Sequence, residues 1–169
     1  MPYSLRLKAE LAGVTGLAPA DDESEPYAYT FKVQCTSCRE VHPNEVFFNR
    51  FDTYELSGSR GTANFVWKCK ACRREASASF VLQATKGKAA VRAYNADDSG
   101  KPQPVVDIET RGLELVEFLA AGNWICKGAE SGTPFTDVSM DEGEWFDYDE
   151  KAGEEVSVTD VVWDIVRTQ

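Results

Sequence analysis

The chain has 169 residues, of which 43% are hydrophobic and 27% charged, and it carries a net charge of −10; this is the composition of an ordinary globular protein, long enough for one large domain or two small ones and able to bury roughly 70% of its unfolded surface. No run reaches the ~18 uncharged apolar residues that a membrane-spanning helix needs. The opening MPYSLRLKAE alternates charge with leucine and so lacks the apolar stretch of an export signal.

In chain order, the periodicity is two throughout. Leu5, Leu7, Ala9 and Leu11 alternate with Arg6, Lys8 and Glu10, the pattern of a strand with one face in a core. Residues 29–33 (YTFKV) repeat it, and further β-like runs lie at 45–56, 63–69, 77–84, 105–109, 144–150 and 161–166, rich in Val, Phe, Tyr and Trp. No stretch gives an amphipathic helix of three turns, so the predicted fold is all-β. Turn-forming segments at 20–26, 57–62 and 95–104 punctuate it. At the last of these the charge balance changes. Residues 1–100 hold 13 basic and 12 acidic side chains, whereas 101–169 hold 5 and 16. The boundary is therefore placed at 99/100, with one β domain over 1–99 and an acidic β domain over 100–169.

A shift of 99 residues aligns Leu7 with Val106, Ala9 with Ile108, Gly13 with Gly112, Val14 with Leu113 and Leu17 with Val116. Two β-sandwich halves related by duplication would give this pattern, although alternating strands also resemble one another by chance.

Four cysteines carry the sharpest signal. Cys35, Cys38, Cys69 and Cys72 form two CxxC pairs separated by 30 residues, each following a β-like run. A two-residue gap lets both sulfurs of a knuckle face one ion, and two knuckles supply the four thiolates of a tetrahedral Zn²⁺ site. A hairpin of 45–56 with 63–69 would return the second knuckle to the first, as in a zinc ribbon. With four protein ligands such a site has no open position, so a single structural Zn²⁺ is expected. The alternative, a redox CxxC, calls for one pair at a helix N-terminus in a βαβ setting, which this pattern lacks. Arg39, Lys68, Lys70, Arg73 and Arg74 flank the knuckles; they could offset the −2 charge of a zinc tetrathiolate or form a patch for nucleic acid.

The remaining candidates are weaker. His42, the single histidine, reads as a surface loop residue, and with it alone a hydrolase triad would have to be built on this one imidazole. Cys126 has no CxxC partner and is expected to be a buried small apolar residue. Residues 57–61 (SGSRG) could cradle a phosphate but are more simply a turn. The segment DEGEWFDYDE (141–150) mixes acids with aromatics and is a candidate contact surface for a basic partner; as a strand it would put either Trp145/Asp147 or Phe146/Tyr148 inward. With an odd total of five cysteines and no export signal, a reducing cytosolic or nuclear compartment is expected.

LAGVTGLAP (11–19), CTSC (35–38), GSRG (58–61), CKAC (69–72), AYNADD (93–98), RGLELVEF (111–118), ESGTPFTDVSM (130–140) and WFDYDEKAGEEV (145–156) together resemble the eukaryotic CXXC-motif-containing zinc-binding proteins over nearly the whole chain. The resemblance implies two similar β-sandwich-like halves and one zinc, held in the first half by Cys35, Cys38, Cys69 and Cys72. It brings no catalytic residues. The functional expectation is a monomeric, non-enzymatic zinc protein that binds another protein, with metal handling or nucleic-acid binding as alternatives and no membrane partner.

Overall fold

The computed structural model describes residues 2–58, 60–81 and 91–168. The first alternating run forms β1 (Pro2–Ala12), with Leu5, Leu7 and Ala9 buried and Lys8 and Glu10 exposed. Gly13, at φ +74°, then turns the chain sharply into β2 (Val14–Pro19). A Cβ there would meet Val156 Cγ1 at 2.8 Å, so both the angle and the space call for glycine. β3 (Tyr29–Cys35) buries Tyr29, Phe31, Val33 and Cys35 on one face.

The run at 45–56 does not form one strand. β4 (Val46–Phe48) ends where Asn49 Oδ1 accepts the Phe51 and Asp52 N–H groups at 2.9 and 2.7 Å. That side-chain turn redirects the backbone, and β5 (Tyr54–Glu55) begins beyond it. β5 pairs with β6 (Thr62–Ala63), whereas β7 (Phe65–Lys68) pairs with β8 (Glu75–Phe80). The predicted hairpin of 45–56 with 63–69 is thereby corrected: the two runs pair as strands only at Tyr54 and Ala63, with Glu55 pairing to Thr62, and the second knuckle forms the β7–β8 connection. Residues 82–84 of the predicted strand at 77–84 lie outside the described residues.

A 3-10 turn at Ala96–Asp98 precedes β9 (Gln103–Arg111), β10 (Leu113–Leu119), β11 (Asn123–Gly128), β12 (Pro134–Ser139), β13 (Trp145–Asp149) and β14 (Glu154–Arg167). Among the described residues there is no α-helix. The strands form antiparallel sheets: one of six in the order β13-β14-β1-β9-β8-β7, two of three in the orders β10-β3-β4 and β12-β11-β2, and the β5-β6 hairpin. Strands from either side of residue 99/100 share each of the three larger sheets, and their buried side chains join one core.

The six-stranded sheet contributes Leu5, Leu7, Val106, Ile108, Val156 and Val158 to that core. Facing them, the smaller sheets contribute Phe31, Val33 and Leu113, and Val14, Trp124 and Val138. Trp124 is fully buried, and its Nε1–H donates to the Tyr27 hydroxyl at 3.1 Å, so its one polar atom is satisfied. The turn at 95–98 is fixed from within. Tyr94 exchanges backbone hydrogen bonds with Leu17 at 2.7 and 2.8 Å, and its buried hydroxyl donates to Asp98 O at 2.6 Å.

Candidate metal centre

The knuckles sit where strands end. Cys35 closes β3, and Cys69 follows β7 directly. In each, the residue after the second cysteine adopts a left-handed backbone, Arg39 at φ 66° and Arg73 at φ 63°. These turns let Arg39 N donate to Cys35 O at 3.0 Å and Arg73 N to Cys69 O at 2.8 Å. Cys35 N–H donates to Glu40 O and Cys69 N–H to Arg74 O, closing both loops. Thr36 N–H donates to Gly112 O at 3.1 Å, which anchors the first knuckle to the β9–β10 corner.

The four sulfurs all lie within 4.8 Å of one another. Cys35 and Cys72 are 3.6 Å apart, as are Cys38 and Cys69. Four sulfurs bound at about 2.3 Å to one tetrahedral ion would stand about 3.8 Å apart. The spacing and the all-thiolate donor set therefore suit a single Zn²⁺.

Local electrostatics favour thiolates on two of the four. The Cys38 N–H, with that of Ser37, points at the Cys35 sulfur and lowers its pKa to about 7, against the cost of burial. The Cys72 and Ala71 N–H groups lower Cys69 in the same way. The Glu40 N–H favours the Cys38 thiolate, but burial and the neighbouring sulfurs of Cys69, Cys35 and Cys72 outweigh it and push this thiol up to about 12. Four adjacent thiolates need a cation between them, and Zn²⁺ supplies that charge.

Comparison with known proteins agrees with this geometry. Residues 4–166 match the family described as CXXC motif containing zinc binding protein, eukaryotic. The chain belongs to that family. It is 45% identical over 163 residues to a UPF0587 protein of Schizosaccharomyces pombe, covering 96% of each chain. It is 38% identical over 164 residues to a mouse CXXC motif containing zinc binding protein, covering 97% of each. The crystal structure of C1orf123 is similar at 34% identity and a TM-score of 0.88, with 99% of this chain and 100% of that one covered.

The other sequence candidates stand apart from the cluster. His42 is half-buried, edge-on to Trp67 with ring centroids 5.3 Å apart. Together with Pro43, Lys70 and Ala71 these rings line an apolar pocket of about 260 Å³ beside Cys69. Arg39 forms an ion pair with Glu114 Oε1 at 3.5 Å. Cys126 is buried on β11, and burial together with the Asp147 charge pushes its thiol up to about 12. Of SGSRG, residues 57, 58, 60 and 61 lie between β5 and β6, where Leu56 N–H donates to Gly61 O at 3.1 Å; Ser59 lies outside the described residues.

A second pair of loops, which the sequence did not reveal, repeats the knuckles' hydrogen bonds without their cysteines. Gly128 N donates to Thr133 O at 2.8 Å and Gly132 N to Gly128 O at 3.0 Å, as Cys35 and Arg39 do in the first knuckle. Ala129 N–H donates to Gly13 O at 2.9 Å, the equivalent of the Thr36–Gly112 bond. Gly153 N–H donates to Asp149 O at 2.7 Å, as Arg73 does to Cys69. Gly132 and Gly153, at φ 72° and 70°, take the left-handed positions held by Arg39 and Arg73. The four cysteine positions thus correspond to Gly128, Ser131, Asp149 and Ala152. There the buried Asp149 carboxylate accepts the Ser131 hydroxyl in a short hydrogen bond and the Thr133 hydroxyl at 2.8 Å. It also accepts the Lys151 and Ala152 N–H groups at 3.1 Å each. The Ser131 hydroxyl, followed by the Ala152 N–H, the Thr133 hydroxyl and the Lys151 N–H, holds the carboxyl below its ordinary value of 3.8 despite the burial.

Proposed function

We propose that this protein is a zinc-stabilised binding module: Cys35, Cys38, Cys69 and Cys72 hold one structural Zn²⁺, and the activity is to bind another protein in the cytosol or nucleus. The observation that carries the binding role is the exposure of two neighbouring aromatics on β13. Phe146 is 63% and Tyr148 50% solvent-exposed, while Trp145 on the opposite face packs edge-on to Phe135 at 5.4 Å. β13 is an edge strand of the six-stranded sheet, and Glu142, Glu144, Asp147 and Glu150 around it are exposed. Aromatics at the centre of an interface with charges at its rim are the usual anatomy of a protein-binding patch.

Replacing Phe146 and Tyr148 together by serine is expected to leave zinc content and thermal melting near wild type. It should cut the recovery of specifically co-purifying proteins about tenfold or more, as removal of hot-spot side chains does. An identical set of bound proteins at unchanged yield would contradict the binding role of this strand.

A second reading is metal handling, favoured by the exposure of one of the four thiols. Cys38 is exposed while Cys35 and Cys69 are buried, so a competing ligand could approach the cluster from that side.

A further inference from the structure

The outer face of the six-stranded sheet is covered at one end and bare at the other. At the β8–β9 end the β5–β6 hairpin lies over it. Leu56 and Ser57 of the hairpin cap a pocket floored by Glu75, Ala76, Ser77, Arg111 and Gly112. The Ser57 N–H donates to Glu75 Oε2 at 3.1 Å, which ties the hairpin down.

At the β13–β14 end the same floor recurs. The β7–β8 and β13–β14 connections match Cys69 with Asp149, which places Glu155, Val156 and Ser157 where Glu75, Ala76 and Ser77 stand. The matching corners after β1 and β9 place Ala12 where Arg111 stands, since each precedes its left-handed glycine. Ala12, Glu155, Val156 and Ser157, with Phe146 and Tyr148, line a groove of about 650 Å³. Among the described residues no hairpin covers it, because β12 runs into β13 through the short turn at 140–144. Among the described residues Glu155 has no backbone donor like the one Ser57 gives Glu75.

We propose that this groove takes an extended, basic segment of a partner protein, seated as the chain's own hairpin is seated at the other end. The proposal rests on the protein-binding reading above and names the occupant of that surface. A backbone N–H of the segment meets the Glu155 carboxylate. An aliphatic side chain of the segment, in the role of Leu56, packs on Phe146 and Tyr148. Lysine or arginine at neighbouring positions faces Glu144 and Glu150, exposed on the Phe146 and Tyr148 side of this edge. A main-chain donor on a carboxylate fixes the register of such a segment, and charge complementarity along the rim sets its specificity.

The test is a nuclear magnetic resonance titration of the full-length zinc-loaded protein with two synthetic peptides. One places a Leu-Ser pair between Lys-Thr repeats, and the other carries Glu in place of every Lys. The expected result is saturable binding of the basic peptide, weakened by salt, with amide shifts centred on Phe146, Tyr148, Glu155 and Ser157. Glu155→Ala should weaken it about tenfold, the loss of one hydrogen bond to a charged acceptor. Equal binding of the acidic peptide, no binding of either, or shifts centred on residues 69–74 would overturn the proposal. So would concentration-dependent dimerisation that closes the groove with a second copy. If the Phe146/Tyr148 replacement abolishes co-purification while the basic peptide does not bind, the binding role stands and the occupant's chemistry is wrong.

Discussion

Cys69→Ser is expected to lower the melting temperature of the purified protein by roughly 10–20 °C or to prevent its folding. Structural zinc binding contributes on the order of 10 kcal/mol of folding free energy, comparable with the whole stability of a typical domain, about 5–15 kcal/mol. Cys69 is buried in the β7–β8 connection, and its loss leaves three thiols converging with no fourth ligand. A loss of about 5 kcal/mol in a chain of this size corresponds to the stated shift at roughly 2–4 °C per kcal/mol. Cys126→Ala is the control. It removes a buried thiol of similar size away from the cluster and should cost about 1 kcal/mol. Scanning calorimetry separates the two. Equal melting temperatures for both variants would remove the structural role of the metal.

Gly128→Ala is expected to destabilise the protein by about 3 kcal/mol or more, through steric overlap rather than loss of a contact. A Cβ at Gly128 would overlap Ser131 Oγ and Asp149 Oδ2, with Thr133 N only 3.4 Å away. The backbone or the hydrogen-bonded knot must give way, and the knot carries a buried carboxylate. A pH signature distinguishes this from ordinary crowding. The folded-state pKa of Asp149 is depressed, so its contribution to stability is present above the ordinary carboxylate pKa. That contribution is lost as pH falls through the folded value. Urea denaturation from pH 7 towards pH 3 should show the gap between wild type and Gly128→Ala narrowing in acid, because protonation weakens the knot in wild type first. A gap that stays constant over this range would show that the overlap does not act through Asp149.

The legibility of the sequence varied with the physical source of each feature. Strands β1, β3, β9 and β14 were readable because their core-facing residues alternate with few interruptions. β10 was obscured by the shift of register between Leu115 and Glu117, which breaks the period of two. β11 was obscured by its composition, since Asn123, Cys126 and Gly128 are not strong strand formers and its register shifts after Trp124. The run at 45–56 misled because its aromatics suit a strand throughout, while the turn rests on the side chain of one residue, Asn49.

The candidate metal centre was legible because CxxC spacing encodes its own geometry. Its counterpart at Gly128, Ser131, Asp149 and Ala152 was not. The 99-residue offset holds at Gly13 and Gly112, but the knuckle positions 35 and 128 differ by 93, and 69 and 149 by 80. No single shift aligns them, and glycine, serine, aspartate and alanine leave no spacing signature. Asp149 performs by hydrogen bonding what the cysteines perform through an ion, and only the matched backbone bonds disclose this.

Native mass spectrometry of the purified chain, followed over time in a zinc chelator, tests the central claim most directly. The expected result is one zinc per chain, released only as the charge-state distribution broadens to that of an unfolded protein. Zinc leaving quickly from a chain that keeps its compact charge states would contradict a structural role and make the exposed Cys38 side of the cluster a route of metal exchange.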